Sequence, residues 1–160
     1  MSAGPRVLVA VYASPVAAAL TTIGAELDYR VVLVEPDPER RSAATWAVAA
    51  VADLAGLDGD PDLGAADVVV TDHHRDDLGV HLRDALARPV RWVGIMGNPR
   101  HEGPHVAALA ELGVAPADVA RVHRPIGLDI GSRSPGEIAV ATLAGLLADR
   151  NGRPGGFLHR

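Results

Sequence analysis

Hydrophobic positions fall into short, nearly unbroken aliphatic runs separated by stretches of helical spacing. Arg6–Val11 (RVLVAV), Tyr29–Val34 (YRVVLV), Ala66–Thr71 (ADVVVT) and Arg91–Met96 (RWVGIM) each read as a strand covered on both faces. Between the first two, Val16, Leu20, Ile23 and Leu27 recur every three to four residues behind Ser14 as N-cap and Pro15 at N1, which predicts a helix. Further helices are predicted over the alanine-rich Ser42–Leu57, over Asp76–Ala87, Val106–Leu112 and Pro116–Ala120, and over Ala139–Leu147, where Ser134, Pro135 and Glu137 form a capping box with Pro at N1. The prolines of PDPER end the second strand, and DGDPDLG is a turn-rich surface connector.

Strands alternating with helices imply an α/β, Rossmann-like fold: a mainly parallel sheet with right-handed crossovers and helices on both faces. One domain over residues 3–150 is expected, with 151–160 (NGRPGGFLHR) as a flexible tail. Ligands of such sheets bind outside the carboxyl ends of the strands, so the loops after the strands carry the chemistry.

Composition narrows the picture. The chain of 160 residues has a net charge of −5 and no basic stripe, which sets nucleic acid aside. It has no cysteine, so disulfides, thiolate metal sites and covalent cysteine chemistry are excluded. The apolar start is too short for a signal peptide or membrane span, and a cytoplasmic location is expected.

The first post-strand turn, Tyr12 to Ala17 (YASPVA), lacks the glycines that let a backbone approach a pyrophosphate, although Ala13, Ser14 and Pro15 still stand at a helix N-terminus. Glu35 ends the second strand where an acidic side chain would accept from the ribose of NAD, or is simply a solvated strand end. After the third strand comes Asp72 to Asp77 (DHHRDD). Adjacent histidines on extended backbone point apart, so a shared metal ion is disfavoured, and His74 is the preferred functional residue. Asp76 or Asp77 also suits a helix N-cap. Gly94, Gly97, Asn98 and Arg100 place open N–H groups beside a guanidinium and form the best anion site. His101 and His105 are four apart, but Gly103 and Pro104 between them argue against a metal pair. The stretch from His123 to Ser132, with Pro125, Gly127, Asp129 and Gly131, is a binding lid or a structural turn, its glycines suited to positive φ. No hydrolase or phosphotransferase motif occurs, and no catalytic residue is assigned.

The later loops resemble a known family. GIMGNPRHEG and VARVHRPIGLDIGSRSPGEIAVATLAGLLADR look like the C-terminal Rossmann domain of the XdhC/CoxI accessory proteins of molybdenum hydroxylases, whose stretches read approximately GLLGSRRK and IHAPIGLDIGAxTPEEIAVSI. The resemblance places Gly94, Gly97, Arg100, His123, Pro125, Ile126, Gly127, Leu128, Asp129, Gly131, Pro135, Glu137 and Ile138 on matching positions. TDHHRDDL is similar to THDHxxDL and adds Thr71, His74 and Asp77, while the family's GAGHVA turn has become YASPVA. The resemblance implies a non-catalytic accessory protein that binds molybdenum cofactor (molybdopterin) or a nucleotide. Its implied partners are a molybdenum hydroxylase apoenzyme or a separate protein carrying the family's N-terminal domain, and a homodimer is compatible with it. An NAD-dependent oxidoreductase and a ligand-free interaction subunit are the alternatives.

Overall fold

The computed structural model describes residues 4–159. The expected domain start at Ala3 and the last tail residue, Arg160, lie outside the described residues. Six strands form one parallel sheet: β1 (Arg6–Val11), β2 (Tyr29–Val34), β3 (Ala49–Val51), β4 (Ala66–Val70), β5 (Trp92–Ile95) and β6 (Val122–His123). Their spatial order is β3-β2-β1-β4-β5-β6, so the direction of winding reverses between β1 and β4. Val9 pairs with Val32 on one side and Val68 on the other, which fixes the register of the three central strands.

Helices cover both faces, as the strand patterns require. On one face α1 (Pro15–Glu26) and α6 (Pro135–Arg150) pack on Leu8, Val31 and Val69, with Leu20, Leu143 and Leu146 buried between. The opposite face buries Val7, Val9, Val11, Val68 and Val70 beneath Leu78, Leu82 and Leu109 of α3 (Leu78–Leu86) and α4 (Pro104–Glu111). A strand that feeds both cores has no polar face, which is why these runs carry no alternation. Both predicted helix starts are present: Ser14 Oγ accepts from Ala17 N at 3.0 Å, and Ser134 and Glu137 exchange a capping box.

The predicted helix over Ser42–Leu57 is not formed. A short helix, α2 (Pro38–Ala43), starts earlier because Asp37 accepts from Glu39 N and Arg40 N with Pro38 at N1. Ala49–Val51 then pairs with Val32–Val34 as the edge strand β3, and Leu54–Leu57 is a 3-10 turn capped by Asp53. Alanine's helix preference is weak beside the hydrogen bonds a waiting sheet edge offers, and Val51 gains packing against Gly56 there. β6 also goes unrecognised in the sequence, since two residues are too few to show a pattern. The remaining helix, α5 (Pro116–Val119), lies where expected. Among the described residues, no helix is long and apolar enough to cross a membrane.

The sheet and α6 together hold the loop after β6. Gly127 (φ 87°) lies so close to α6 that an added Cβ would meet Ala141 and Thr142 backbone at 3.0 Å. Leu128 N donates to Ala141 O at 3.0 Å. Gly94, inside β5, leaves space for the Trp92 ring and Ile126, either of which a Cβ would approach within 2.6 Å. Gly94→Ala should therefore lower stability by about 1–3 kcal/mol through overpacking. Gly136→Ala, with open space around it near the start of α6, should leave the melting temperature unchanged or slightly raised. Thermal melts of the two variants beside the parent check the contrast.

Candidate functional site

The first βα turn contains a side-chain network in place of glycines. Tyr12 sits at φ 79°, the left-handed conformation that a glycine usually supplies, and its ring is fully buried. Its N–H donates to Val34 O at 2.7 Å, and its hydroxyl donates to Asp77 Oδ1 at 2.7 Å. Burial and the bond to Asp77 push this phenol above its ordinary range. His81 stands edge-on to the Tyr12 ring and bonds Asp77 Oδ2 through Nε2 at 3.2 Å. Asp77 thus occupies the N-cap position of α3 without capping it, because its carboxylate is engaged by Tyr12 and His81.

Glu35 is fully buried and is not a solvated strand end. Arg75, from the loop after β4, binds it with Nη2 at 2.8 Å and Nη1 at 3.2 Å, while Ala13 N and Asp37 N donate at 2.8 and 3.1 Å. Burial alone would raise the Glu35 pKa, but these four donors and the guanidinium charge outweigh it and hold the carboxyl below its ordinary 4.5. The Arg75 guanidinium also covers the Tyr12 ring at 4.3 Å. Ser14 Oγ donates to Thr71 Oγ1 at 2.8 Å, and Thr71 Oγ1 lies 2.9 and 3.0 Å from the Val11 and Tyr12 carbonyls. The Tyr12 and Ala13 N–H groups and the Ser14 and Thr71 hydroxyls are therefore bonded within the protein.

On the other side of the reversal the crevice is open. A cleft of about 750 Å³ lies at the carboxyl ends of β4, β5 and β6. Val16, Met96, Ile126, Leu128, Ile130 and Ile138 give it apolar walls, with Thr71, His73, Asn98, Asp129 and Ser132 at polar positions. Its volume is in the range of small-molecule sites, and a few polar groups on apolar walls is their usual make-up.

Of the residues singled out in the sequence, Thr71, Gly97, Asn98, Pro125, Ile126, Gly127, Leu128, Asp129, Gly131 and Ile138 come together around this cleft. The others lie elsewhere. Ala13, Ser14 and Pro15 line a separate groove with Arg40 and Trp46, Glu35 is enclosed, and Gly94 is buried in β5. His123 stacks on Trp92 at 4.8 Å, outside the cleft, while His74 and Arg100 are exposed and do not line it.

The sequence reading missed two side chains here. His73, not His74, lines the cleft, and the backbone turns after β4 so that the two rings lie 4.0 Å apart instead of on opposite faces. Asp72 Oδ1 accepts from His74 N at 2.9 Å and sets that turn. The guanidinium at the glycine loop belongs to Arg124: Nη1 donates to His101 O at 2.7 Å and Nη2 to Asn98 O at 2.8 Å, and the group lies against Gly97. A Cβ at Gly97 would come within 2.3 Å of Arg124 Nε, so the glycine admits the arginine. Proximity in the fold, not in the chain, brings Arg124 to this loop, and its position beside His123 is the only signal the sequence held. Among the described residues, no group of three or more His, Cys, Asp or Glu could hold a metal ion.

The family model of the XdhC Rossmann domain matches residues 8–146. The chain belongs to this family. A curated relative, the uncharacterized protein YqeB of Escherichia coli strain K12, is 37% identical over 77 residues, which are 48% of this chain and 14% of that protein. A solved structure described as a xanthine dehydrogenase from Bacillus halodurans superposes with a TM-score of 0.72 at 21% identity, covering 92% of this chain and 45% of that one. That likeness shows a shared fold, and the chain spans less than half the length of either protein.

The Arg75–Glu35 pair makes a stability prediction. Arg75→Ala leaves a buried carboxylate without its cation and should cost about 3–5 kcal/mol near neutral pH. In the parent, Glu35 titrates below its ordinary 4.5, so its contribution is complete above that pH and is lost as pH falls through the lower folded value. Without Arg75 the buried carboxyl titrates higher, and the deficit should shrink as pH falls from 7 toward 5. Urea melts across that range measure both the size and the slope.

Proposed function

We propose that this chain is a non-catalytic accessory protein for the maturation of a molybdenum hydroxylase of the xanthine dehydrogenase type. It holds molybdenum cofactor, a pterin bearing a phosphate, in the cleft beyond β4, β5 and β6. Membership of the XdhC Rossmann-domain family supports the process, and the cleft supports the ligand class. The single observation that carries the reading is that a cleft of about 750 Å³ opens at the ends of β4, β5 and β6, while the turn after β1 holds Tyr12, Glu35 and Arg75 in a buried network and borders only a smaller groove of about 370 Å³.

The residues present fit such a group. Met96, Ile126 and Ile138 offer apolar surface to a flat ring system, and Asn98, Thr71 and Ser132 offer hydrogen bonds at its edges. Arg124 sets a guanidinium behind the Gly97 loop, where its Nε is buried without a partner. The cofactor brings the metal and its redox chemistry, and the chain binds, orients and shields it. The client is a hydroxylase apoenzyme, which receives the cofactor directly or through a protein carrying the family's N-terminal domain.

Titration of the purified protein with molybdopterin cofactor should give saturable binding. Ser132→Trp, which fills the cleft from a half-buried position, should weaken that binding roughly tenfold or more, about 1.4 kcal/mol, without lowering the melting temperature. Absence of binding by the parent, or equal binding by Ser132→Trp, contradicts the assignment.

A further inference from the structure

We propose that Asn98 meets the ligand of the cleft as a hydrogen-bond donor, and that Arg124, which does not line the cleft, positions it. This rests on the cleft being the ligand site. It names the chemistry that faces Asn98: an acceptor, such as a carbonyl oxygen or an unprotonated ring nitrogen, on the edge of the bound ring system.

Asn98 and Pro99 line the cleft from the turn after β5, and Asn98 is exposed there. The backbone N–H of Arg100 donates to Asn98 Oδ1 at 2.9 Å. A backbone N–H only donates, so this bond fixes which way round the side-chain amide lies. The Oδ1 end is turned to the protein, and among the described residues the Nδ2 end has no protein acceptor. The other polar side chains at the cleft are less committed to giving a hydrogen. Ser132 and His73 either donate or accept, and an ionised Asp129 accepts only.

The turn that holds Asn98 in this sense is gripped from the far side of the cleft. Arg124 follows β6, and its guanidinium reaches back: Nη2 donates to Asn98 O at 2.8 Å and Nη1 to His101 O at 2.7 Å. One planar fork thus ties the first and last residues of the turn, a grip that the single ammonium of a lysine does not reproduce. The His101 N–H closes the turn on Asn98 O at 3.2 Å. Two glycines admit the side chain. A Cβ at Gly97 would overlap the guanidinium, and one at Gly103 would come within 2.9 Å of Arg124 Cδ. Arg124 directly precedes Pro125 and Ile126, which line the cleft from the β6 side. Its contacts therefore join the two loops behind the wall, and its effect on a ligand runs through Asn98.

Calorimetric titration of the full chain with molybdopterin and, separately, with FMN, both of which carry ring acceptors, tests the two roles. Asn98→Asp keeps an oxygen for the Arg100 N–H but replaces the donor with a second acceptor, so affinity for the probe that binds should fall roughly tenfold or more. The loss should persist at roughly 1 M salt, where the Debye length is about 3 Å. Unchanged affinity, or a loss that salt abolishes and that is therefore repulsion of the probe's phosphate, overturns the donor role. Arg124→Ala, its fold checked by a thermal melt, should lose a similar factor, and the double variant should bind within roughly twofold of the weaker single one. Additive losses overturn the positioning role. If Arg124→Ala does not fold, Arg124→Lys, which keeps the stem and loses the fork, takes its place in the same cycle. In the parent, the Asn98 side-chain NH2 resonances should shift as the probe saturates the protein, and resonances that stay in place contradict the contact. Binding of FMN with none of molybdopterin would overturn the molybdenum-cofactor reading and leave this one to be decided by the FMN series; no binding by either overturns both.

Discussion

The contact on which the site's shape depends is the ion pair between Arg75 and Glu35. A buried carboxylate is tolerated only with its charge matched and its lone pairs satisfied, and here Arg75 supplies two donors and the first turn a third. Meeting that requirement ties three segments together: the end of β2, the turn after β1 and the loop after β4. Tyr12 completes the structure by lying under the guanidinium and bonding Asp77, which in turn holds His81 of α3. With these groups in place, the ends of β1 and β2 keep a groove of about 370 Å³ at Ala13, Pro15, Arg40 and Trp46, and a cleft of about 750 Å³ lies over the ends of β4, β5 and β6.

The far wall of that volume is equally fixed. Gly127 and Gly145 bring the loop after β6 within backbone contact of α6, and the Leu128 N–H donates to the helix. The choice left open in the sequence, between a lid and a structural turn, is thereby resolved toward a turn packed on α6. Its residues Ile126 to Ser132 present a wall shaped by a helix whose start is set by the Ser134–Glu137 capping box.

β1, β2, β4 and β5 and the starts of α1 and α6 are legible in the sequence because each rests on a local rule. β1, β2 and β4 are unbroken aliphatic runs, and Ser14 and Ser134 are caps followed by proline. The failures have the opposite origin. Ala49–Val51 looks helical by composition and becomes a strand because the edge of β2 is available to it. Glu35 was expected to meet solvent or a ribose, and nothing within its own stretch foretold an arginine 40 residues on. His73 and Arg124 were passed over for His74 and Arg100 because side-chain direction in a loop is decided by its turn, here by Asp72 and by Gly97. The matching family positions lie on the loops that border the cleft, and contacts between those loops decide which side chain in each faces it.

We propose that ligand binds on the β4–β6 side of the reversal and not at the first turn. Methyl-detected NMR during titration with molybdopterin reads this directly. Shifts should concentrate on Met96, Ile126, Ile130 and Ile138, while Ala13, Ala17 and Ala18 stay unmoved. Shifts concentrated on Ala13, Ala17 and Ala18, with the cleft methyls unchanged, would contradict it.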